Sequence, residues 1–351
     1  MNPLFRRLLR VALVLALAAM LAAALLLIWL DRRLDAPLPL PEDGALFVIE
    51  QGESLAAISR RLQATGWLPQ PWLLRGWGRF SGDDARIRHG EYRLRPGLSV
   101  RELLALLASG RVVQYQVTLP EGITLVQALQ RLAAAPALRV VLSGPEDPAL
   151  LALVAPHTAA EGLFLPETWR YERGDSDLQI LARAHRALED ELARAWAGRA
   201  EGLPLESPYE ALILASIIER ETGVPAERGE IAGVFVRRLQ RGMRLQTDPT
   251  IIYGLGEGFD GNLRRSHLED AGNRYNTYRH HGLPPTPIAL PGRAAIRAAL
   301  QPAAGESLYF VARGDGSHVF SSTLEAHRRA VRKYQLSRRE DYRSSPPPSS
   351  Q

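Results

Sequence analysis

The chain contains no cysteine, and this absence excludes two kinds of structural support. It can have neither a disulfide framework nor a zinc site built from thiolates. Three enzyme motifs are also missing: the Gly-Lys-Ser/Thr phosphate loop, the Gly-x-Ser-x-Gly nucleophile turn and the His-Glu-x-x-His zinc motif. The adjacent His280 and His281 belong to no metal-binding motif, so we predict neither a metal nor a cofactor.

Length and charge set wider limits. The chain has 351 residues and a formal net charge of +5 at pH 7. That length is enough for two or three domains. The positive charge comes from arginines scattered along the whole sequence, which favours contact with polyanions but does not select among nucleic acid, anionic lipid and an acidic wall polymer.

The N-terminal segment predicts a membrane anchor. An apolar run from Val11 to Leu30 is long enough to cross a hydrocarbon layer of about 30 Å as a helix. Arginines precede the run without an acidic neighbour, whereas the charges after it are balanced, so residues 1–10 are expected to stay in the cytoplasm and everything after about Asp35 outside. A cleaved signal peptide is the alternative, but its apolar segment is usually only roughly 7–15 residues long.

After a proline-rich spacer over residues 31–44, one pattern occurs three times. A short alternating strand leads through a glycine turn to a Ser or Thr in the N-cap position, and an amphipathic helix follows. The three copies begin at Phe47, Tyr92 and Val117. Because their spacing is irregular, we expect small β-α units and not a solenoid.

The rest of the sequence completes an α+β fold. Residues 116–206 are predicted to be mostly helical, interrupted by an ordered loop over Glu161–Tyr171 whose composition suits the wall of a cleft. Two further helices are predicted over about Pro208–Thr222 and Glu227–Arg241. The Ser- and Pro-rich residues 339–351 predict a disordered tail.

The first of these helices carries acidic residues in an otherwise apolar run. Glu219 and Glu221 follow a stretch of Ala, Leu and Ile. A carboxyl group in apolar surroundings is expensive to ionise, so its pKa rises and it can act as a general acid near neutral pH. Residues two apart on a helix point to nearly opposite sides, so the two carboxyl groups cannot face one cleft equally.

The loops after these helices are dense in aromatic, amide and hydroxyl side chains. Such side chains stack on sugar faces and bond sugar hydroxyl groups. The candidate sugar-binding residues are Gln246, Asp248, Tyr253, Tyr275, Asn276 and Tyr278. Asp248 is also a candidate second carboxyl group, which leaves a hydrolytic mechanism open.

Several motifs in this order resemble the endolytic murein transglycosylases, the MltG or YceG-like family. They are Ala215–Thr222, Arg237–Leu239 through Leu245–Gly254, Tyr275–Tyr278, Gly282–Pro285 and Leu308–Val311. The first β-α unit, through Gly52–Leu55, resembles a LysM module, and we place a LysM-like subdomain over residues 45–115. The Glu161–Tyr171 loop also resembles the family, with Trp169 where a tyrosine is expected.

The resemblance implies a lytic transglycosylase with its catalytic domain over residues 207–338. Such enzymes cut the β-1,4 bond from N-acetylmuramic acid to N-acetylglucosamine without water and leave a 1,6-anhydro end, and one carboxyl group can perform both proton transfers. Because the pair Glu221-Thr222 resembles the Glu-Ser motif of other lytic transglycosylases, we favour Glu221 as the acid over Glu219. The other glutamate is then expected to pair with an arginine or to bond a loop.

The resemblance also implies partners and a location. Nascent peptidoglycan strands are the expected substrate, peptidoglycan synthases are candidate partners, and the LysM-like unit implies binding to polymers of N-acetylglucosamine. The expected location is the bacterial inner membrane, crossed once, with the catalytic domain in the periplasm. A muramidase that uses water and a non-catalytic glycan-binding scaffold remain alternatives. Nucleic-acid binding is disfavoured because the basic residues would lie outside the cytoplasm.

Overall fold

The computed structural model of the chain describes residues 3–336. By its internal contacts the chain divides into two compact units. Unit 1 comprises the residues up to 115 together with 172–174, and unit 2 comprises 116–171 and the chain from 175 onward. The tail predicted over residues 339–351 lies outside the described residues.

Unit 1 contains an N-terminal helix and a small α+β body. Its elements are α1 (Pro3–Leu34), β1 (Ala45–Ile49), α2 (Leu55–Ala64), α3 (Pro71–Ser81), β2 (Gly90–Leu94) and α4 (Val100–Ser109). Strands β1 and β2 are antiparallel, with Ala45 opposite Leu94 and Ile49 opposite Gly90. Buried leucines of the helices pack with Phe47 and Tyr92 of the strands into one core. Each such side chain, fully buried, contributes about 1.5–3 kcal/mol.

Helix α1 is the candidate anchor. Its segment Arg7–Leu34 is long and apolar enough to cross a membrane, and it contains the predicted span over residues 11–30. The predicted spacer over residues 31–44 differs from expectation in one respect. Its first residues continue α1, and Leu38 then packs into unit 1, where its N–H donates to the Leu98 carbonyl at 2.8 Å.

Unit 2 contains the remaining helices and two small sheets. In chain order the elements are β3 (Gln114–Thr118), α5 (Leu125–Ala133), α6 (Pro148–Leu153), β4 (Thr168–Glu172), α7 (Asp177–Ala197), α8 (Pro208–Glu221), α9 (Arg228–Gln240), α10 (Asp248–Leu255), α11 (Arg265–Glu269), α12 (Arg293–Leu300), β5 (Tyr309–Ala312), β6 (His318–Ser321) and α13 (Leu324–Val331). The first residues of β3 and the last residue of β4 belong to unit 1. Strand β3 pairs with β4, and β5 pairs with β6. The mixed α and β content confirms the predicted class.

The three predicted strand-turn-helix units are confirmed. Ser54, Ser99 and Thr124 are the N-caps of α2, α4 and α5, and each hydroxyl oxygen accepts a hydrogen bond from the backbone N–H three residues on, at 3.2–3.3 Å. A cap of this kind satisfies a backbone donor that the first helical turn leaves unpaired and contributes about 1 kcal/mol. The local sequence therefore fixes where each helix begins.

Helix α8 is the central element of unit 2. Residues 211–218 are buried on every side, because α7, α9, α10 and α12 all pack against this helix. Inside it, the Ser216 hydroxyl donates to the Ile213 carbonyl at 2.7 Å and accepts from the Ile288 N–H at 3.0 Å. This packing fixes the C-terminal end of α8, where Glu219 and Glu221 lie.

Candidate active site

A cleft of about 740 Å³ in unit 2 lies at the C-terminal end of α8. Its walls come from α8, α9, the loop before α10, the loop around Tyr278, β5 and α13. Among the lining residues are Glu221, Arg238, Gln246, Thr247, Asp248, Tyr278, Tyr309 and His327. The structure therefore brings Glu221 together with three of the predicted sugar-binding residues.

Glu221 is the last residue of α8, and Thr222 leaves the helix in an extended conformation. Burial raises the pKa of the Glu221 carboxyl from 4.5 to about 7, and the negative charge of Asp248 adds to this rise. The C-terminal end of a helix carries a partial negative charge, which also disfavours a carboxylate there. Glu221 thus holds its proton at a pH where an exposed glutamate is ionised.

A buried threonine cluster fixes the position of Glu221. The Thr247 hydroxyl donates a hydrogen bond to Glu221 Oε1. Thr247 is itself held by its N–H, which donates to Thr277 Oγ1 at 3.0 Å, and by its carbonyl, which accepts from Thr250 Oγ1 at 2.8 Å. The hydrogen bond from Thr247 lowers the pKa of Glu221 in opposition to burial, because it favours the charged form.

Gln246 has a backbone conformation that a side chain seldom adopts. Its φ is +50°, in the left-handed region, which costs a residue with a Cβ roughly 1–2 kcal/mol. The Gln246 N–H donates to the Thr277 carbonyl at 3.2 Å, which holds this turn. As a result the side chain of Gln246 is exposed in the cleft, while that of Thr247 is buried.

Asp248 and Tyr278 form a second polar pair in the cleft. The Tyr278 hydroxyl donates to Asp248 Oδ1 at 2.8 Å. Burial and the charge of Asp248 raise the pKa of Tyr278, so the phenol stays neutral and remains a donor. Asn276 has a positioning role: its Oδ1 accepts from the Tyr278 N–H at 3.0 Å, while its Nδ2 donates to the carbonyl of Asp270 at 2.6 Å.

Glu219 has a different environment from Glu221. Its Oε1 lies 3.0 Å from Arg228 Nη2, and its Oε2 accepts from the Gly292 N–H at 2.9 Å. The Glu219 side chain is only 5% exposed. Both partners are those expected of the glutamate that is not the acid, namely an arginine and a loop.

Two predicted sugar-binding residues lie in another cluster. Tyr253 and Tyr275 pack edge to face with ring centroids 4.9 Å apart, and neither is among the residues that line the cleft. The Tyr253 hydroxyl donates to Glu161 Oε2 at 3.3 Å, and the Tyr275 hydroxyl bonds Thr286 Oγ1 at 2.9 Å. These tyrosines hold loops in place, and a sugar-binding role for them stays a prediction.

Glu161 is a buried acidic residue to which the sequence analysis assigned no role beyond the start of an ordered loop. Its carboxyl oxygens accept from the Leu125 N–H at 3.0 and 3.1 Å, and burial raises its pKa to about 7. The sequence contained a signal for this burial, because Glu161 stands beside the apolar residues 163–165, much as Glu221 stands at the end of the apolar run in α8. Glu161 and Glu221 are therefore both carboxyl groups that keep a proton near neutral pH.

A histidine-carboxylate pair supports the turn after α8. Glu227 Oε1 accepts from the His318 N–H at 2.8 Å, and its Oε2 lies 2.7 Å from His318 Nδ1. The Thr222 hydroxyl donates to Glu227 Oε2 at 3.4 Å and accepts from the Val224 N–H at 2.9 Å. The threonine beside Glu221 thus fixes the turn and does not bond the acid.

Comparisons with known proteins identify the family of the chain. The model of the YceG-like family matches residues 47–333. An endolytic murein transglycosylase of Bacillus subtilis (strain 168) is 29% identical over 310 residues, which cover 83% of this chain and 85% of that protein. Endolytic murein transglycosylases of Streptococcus pneumoniae strains D39 and R6 are 25% identical over 335 residues, covering 85% of this chain but only 60% of theirs.

A solved structure shares the fold. The 2.6 Å crystal structure of a YceG-like protein from Listeria monocytogenes matches this chain with a TM-score of 0.52 and 29% sequence identity. The match covers 82% of this chain and 99% of the Listeria chain. Sequence and fold comparisons therefore lead to the same group of proteins.

Proposed function

The chain belongs to the YceG-like family, and on that premise we propose that it is an endolytic transglycosylase of peptidoglycan, anchored in the inner membrane. The names of its relatives support the activity. The observation that carries the proposal is Glu221, a carboxyl group with a pKa of about 7 in the wall of a cleft large enough for sugar rings. We infer that the cleft binds the glycan strand across the bond to be cut.

In the first step Glu221 acts as a general acid. Thr247 donates to Oε1, so Oε2 is the oxygen that carries the proton. This proton passes to the bridging oxygen, the bond from that oxygen to C1 of N-acetylmuramic acid breaks, and N-acetylglucosamine leaves with a free 4-hydroxyl group. Positive charge develops on the muramyl ring, and the resulting Glu221 carboxylate and Asp248 stabilise it.

In the second step the same group acts as a base. The Glu221 carboxylate takes the proton of the muramyl 6-hydroxyl, and the 6-oxygen attacks C1 to close the 1,6-anhydro ring. The acid is thereby regenerated, and no water enters the product. One carboxyl group suffices, whereas an ordinary glycosidase uses a pair about 5–5.5 Å or 6.5–9.5 Å apart.

The neighbouring side chains hold the sugars. The exposed amide of Gln246 can bond hydroxyl or acetamido groups, and the Asp248-Tyr278 pair offers a fixed acceptor and donor. Asn276 acts indirectly, since it holds the Tyr278 backbone. Arg238 donates to the carbonyls of Leu245 and Leu308 and supports two walls of the cleft.

Helix α1 supports the proposed membrane location of the enzyme. With residues 11–30 in the membrane and the arginine-rich end inside, unit 2 and the part of unit 1 after α1 lie on the outer face, where nascent strands are made. The capped unit of β1, its glycine turn and α2 supports a LysM-like role in glycan binding. Peptidoglycan synthases, which produce the substrate, are the proposed partners.

Mass spectrometry of the products tests this function. The full chain in detergent, incubated with purified glycan strands, is expected to yield fragments ending in 1,6-anhydro-muramic acid. Glu221→Gln should abolish them, whereas Glu219→Gln should retain activity per folded molecule, with folding measured by circular dichroism. Anhydro products from Glu221→Gln at the wild-type rate would refute the assignment.

The same experiment distinguishes the alternatives. A muramidase would give reducing ends, and loss of those products in both Glu221→Gln and Asp248→Asn would identify the second carboxyl group as catalytic. A scaffold would bind the strands and release no fragments. The length of the released glycan fragments tests the endolytic claim, because internal cuts produce long fragments early and terminal cuts produce only short ones.

A further inference from the structure

Helix α3 in unit 1 presents an unusual outward face. The exposed residues of this helix include Trp72, Arg75, Gly76, Arg79 and Phe80. Their spacing of three and four residues places them on one side of the helix, with the two aromatic rings at its ends. Trp72 is 45% and Phe80 is 82% exposed, although both are large apolar side chains. Arginines together with exposed Trp and Phe are the residue types that helices in a membrane interface carry.

The end of α1 is fixed to the body that carries this face. Arg101 on α4 pairs with Asp31 at 2.7 Å and with Asp35 at 2.9 Å. Its guanidinium also lies over the ring of Trp77 on α3, at 4.3 Å from the centroid. Leu34 is buried in the core of unit 1. The candidate membrane helix and α3 are therefore parts of one packed body.

A pair of tryptophans sets the depth of α3. Trp29 lies near the end of the predicted span over residues 11–30, where aromatic rings mark the boundary between hydrocarbon and water. Trp72 stacks on Trp29, with ring centroids 6.2 Å apart and planes inclined by 12°. Because the rings are in contact, the N-terminal end of α3 lies at the level of that boundary.

An apolar cavity separates the two helices. It measures about 420 Å³ and opens between the end of α1 and α3. Most of its wall is hydrophobic and includes Leu27, Leu30, Trp72, Leu73 and Phe80, while the ion-paired Asp31 and Arg101 also line it. Leu27 belongs to the predicted span, so the cavity reaches the depth of the acyl chains.

We propose that the outward face of α3 is a lipid-binding surface, on which phospholipid of the outer leaflet fills the cavity between α1 and α3. Arg75 and Arg79 bind the lipid phosphates, while Trp72 and Phe80 enter the layer below them. The proposal rests on the anchoring role of α1. It goes beyond that role, because it places α3 against the bilayer surface.

The absence of cysteine makes a direct test possible. Gly76 lies in the centre of the face, and a Cβ added there would meet no atom within 4 Å. A nitroxide label on Gly76→Cys therefore reports on the surface and leaves both aromatic rings in place. Labels on Met20→Cys, inside the span, and on Gln51→Cys, in an exposed turn after β1, are the matched controls.

The measurement is the accessibility of each label to oxygen and to a water-soluble nickel chelate. The full chain is reconstituted in vesicles of phosphatidylethanolamine and phosphatidylglycerol. We expect the oxygen-to-nickel ratio at position 76 to be several-fold above that at 51 and to approach that at 20. The double variant Arg75→Glu, Arg79→Glu should bring the ratio at 76 down toward that at 51.

Each other outcome overturns a different statement. Equal ratios at positions 76 and 51, with a high ratio at 20, would refute the lipid surface and leave the anchor intact. A low ratio at position 20 would refute the anchor, on which the proposal depends. Magnetic broadening between labels at position 76 would show that a second copy covers the face, which also refutes lipid as its occupant.

Discussion

The hydrogen bond from Thr247 to Glu221 gives a quantitative test of the proposed acid. Replacing Thr247 by Val keeps the branched shape of the side chain and removes only the hydroxyl group, whose donor bond is to Glu221 Oε1. The backbone N–H of Thr247, which bonds Thr277, remains in the variant. The perturbation therefore acts on the acid and leaves the turn in place.

The size of the effect follows from the two protonation states. A hydrogen bond to a carboxylate contributes about 1.5–3 kcal/mol, and one to a neutral carboxyl group about 0.5–1.5 kcal/mol. The difference of about 1–1.5 kcal/mol corresponds to about one pKa unit. Losing the bond disfavours the charged form, so the pKa of Glu221 should rise from about 7 to about 8.

The assay is the pH dependence of kcat/KM for release of anhydro-ended fragments. The acid must be protonated, so activity falls as pH rises through the pKa, and in Thr247→Val this decline should move about one unit toward alkaline pH. Thr250→Val is the matched control, because Thr250 belongs to the same buried cluster but bonds Thr247 and Thr277. A decline that stays in place in Thr247→Val, or moves equally in Thr250→Val, would refute the reasoning.

Two other carboxyl groups give further predictions. The pKa of Glu161 is raised from 4.5 to about 7 in the folded chain, so its stabilising effect is complete below about 4.5 and is lost as pH rises through about 7. This pKa shift corresponds to about 3 kcal/mol of folding free energy. The melting temperature of Glu161→Gln should therefore fall less from pH 5 to pH 8 than that of the wild-type chain. An equal fall in both proteins would contradict the burial argument. Glu219→Gln breaks a buried pair with Arg228 and should lower stability by about 3 kcal/mol in chemical unfolding, while the pH profile of activity stays unchanged. A displaced profile would show that Glu219 acts in catalysis.

Local signals predicted much of the secondary structure. The helices after Ser54, Ser99 and Thr124 begin where their caps place them, because an N-cap acts over only three residues. The predicted helices over about Pro208–Thr222 and Glu227–Arg241 agree with α8 and α9 to within one residue at each end. Where the determinant is local, the sequence was sufficient.

Long-range pairing was not predictable in the same way. Strand β4 forms at the end of what was predicted as a loop, because its partner β3 lies about 50 residues earlier in the chain. The hydrogen bond between Thr118 and Thr168, at 2.9 Å, is part of that contact. The pattern of residues 161–171 alone does not predict this strand, because a strand depends on the neighbouring strand that it bonds and packs against.

Only part of the candidate site could be predicted, because it too depends on contacts between distant segments. Helical geometry showed that Glu219 and Glu221 face different directions, but the partners that separate them, Arg228 and Thr247, come from other segments. Tyr253 and Tyr275 have the composition of a sugar platform, yet the fold pairs them with each other. Composition identifies the chemistry available, and tertiary contacts decide which residues can use it.

The raised pKa of Glu221, the proposed acid, makes the proposed strand cleavage responsive to pH over a narrow interval. With a pKa of about 7, this carboxyl group is protonated in about half of the molecules at pH 7, about nine tenths at pH 6 and about one tenth at pH 8. Strand cleavage would therefore rise less than twofold on acidification and fall severalfold in alkaline surroundings, an asymmetry that originates at the end of one helix.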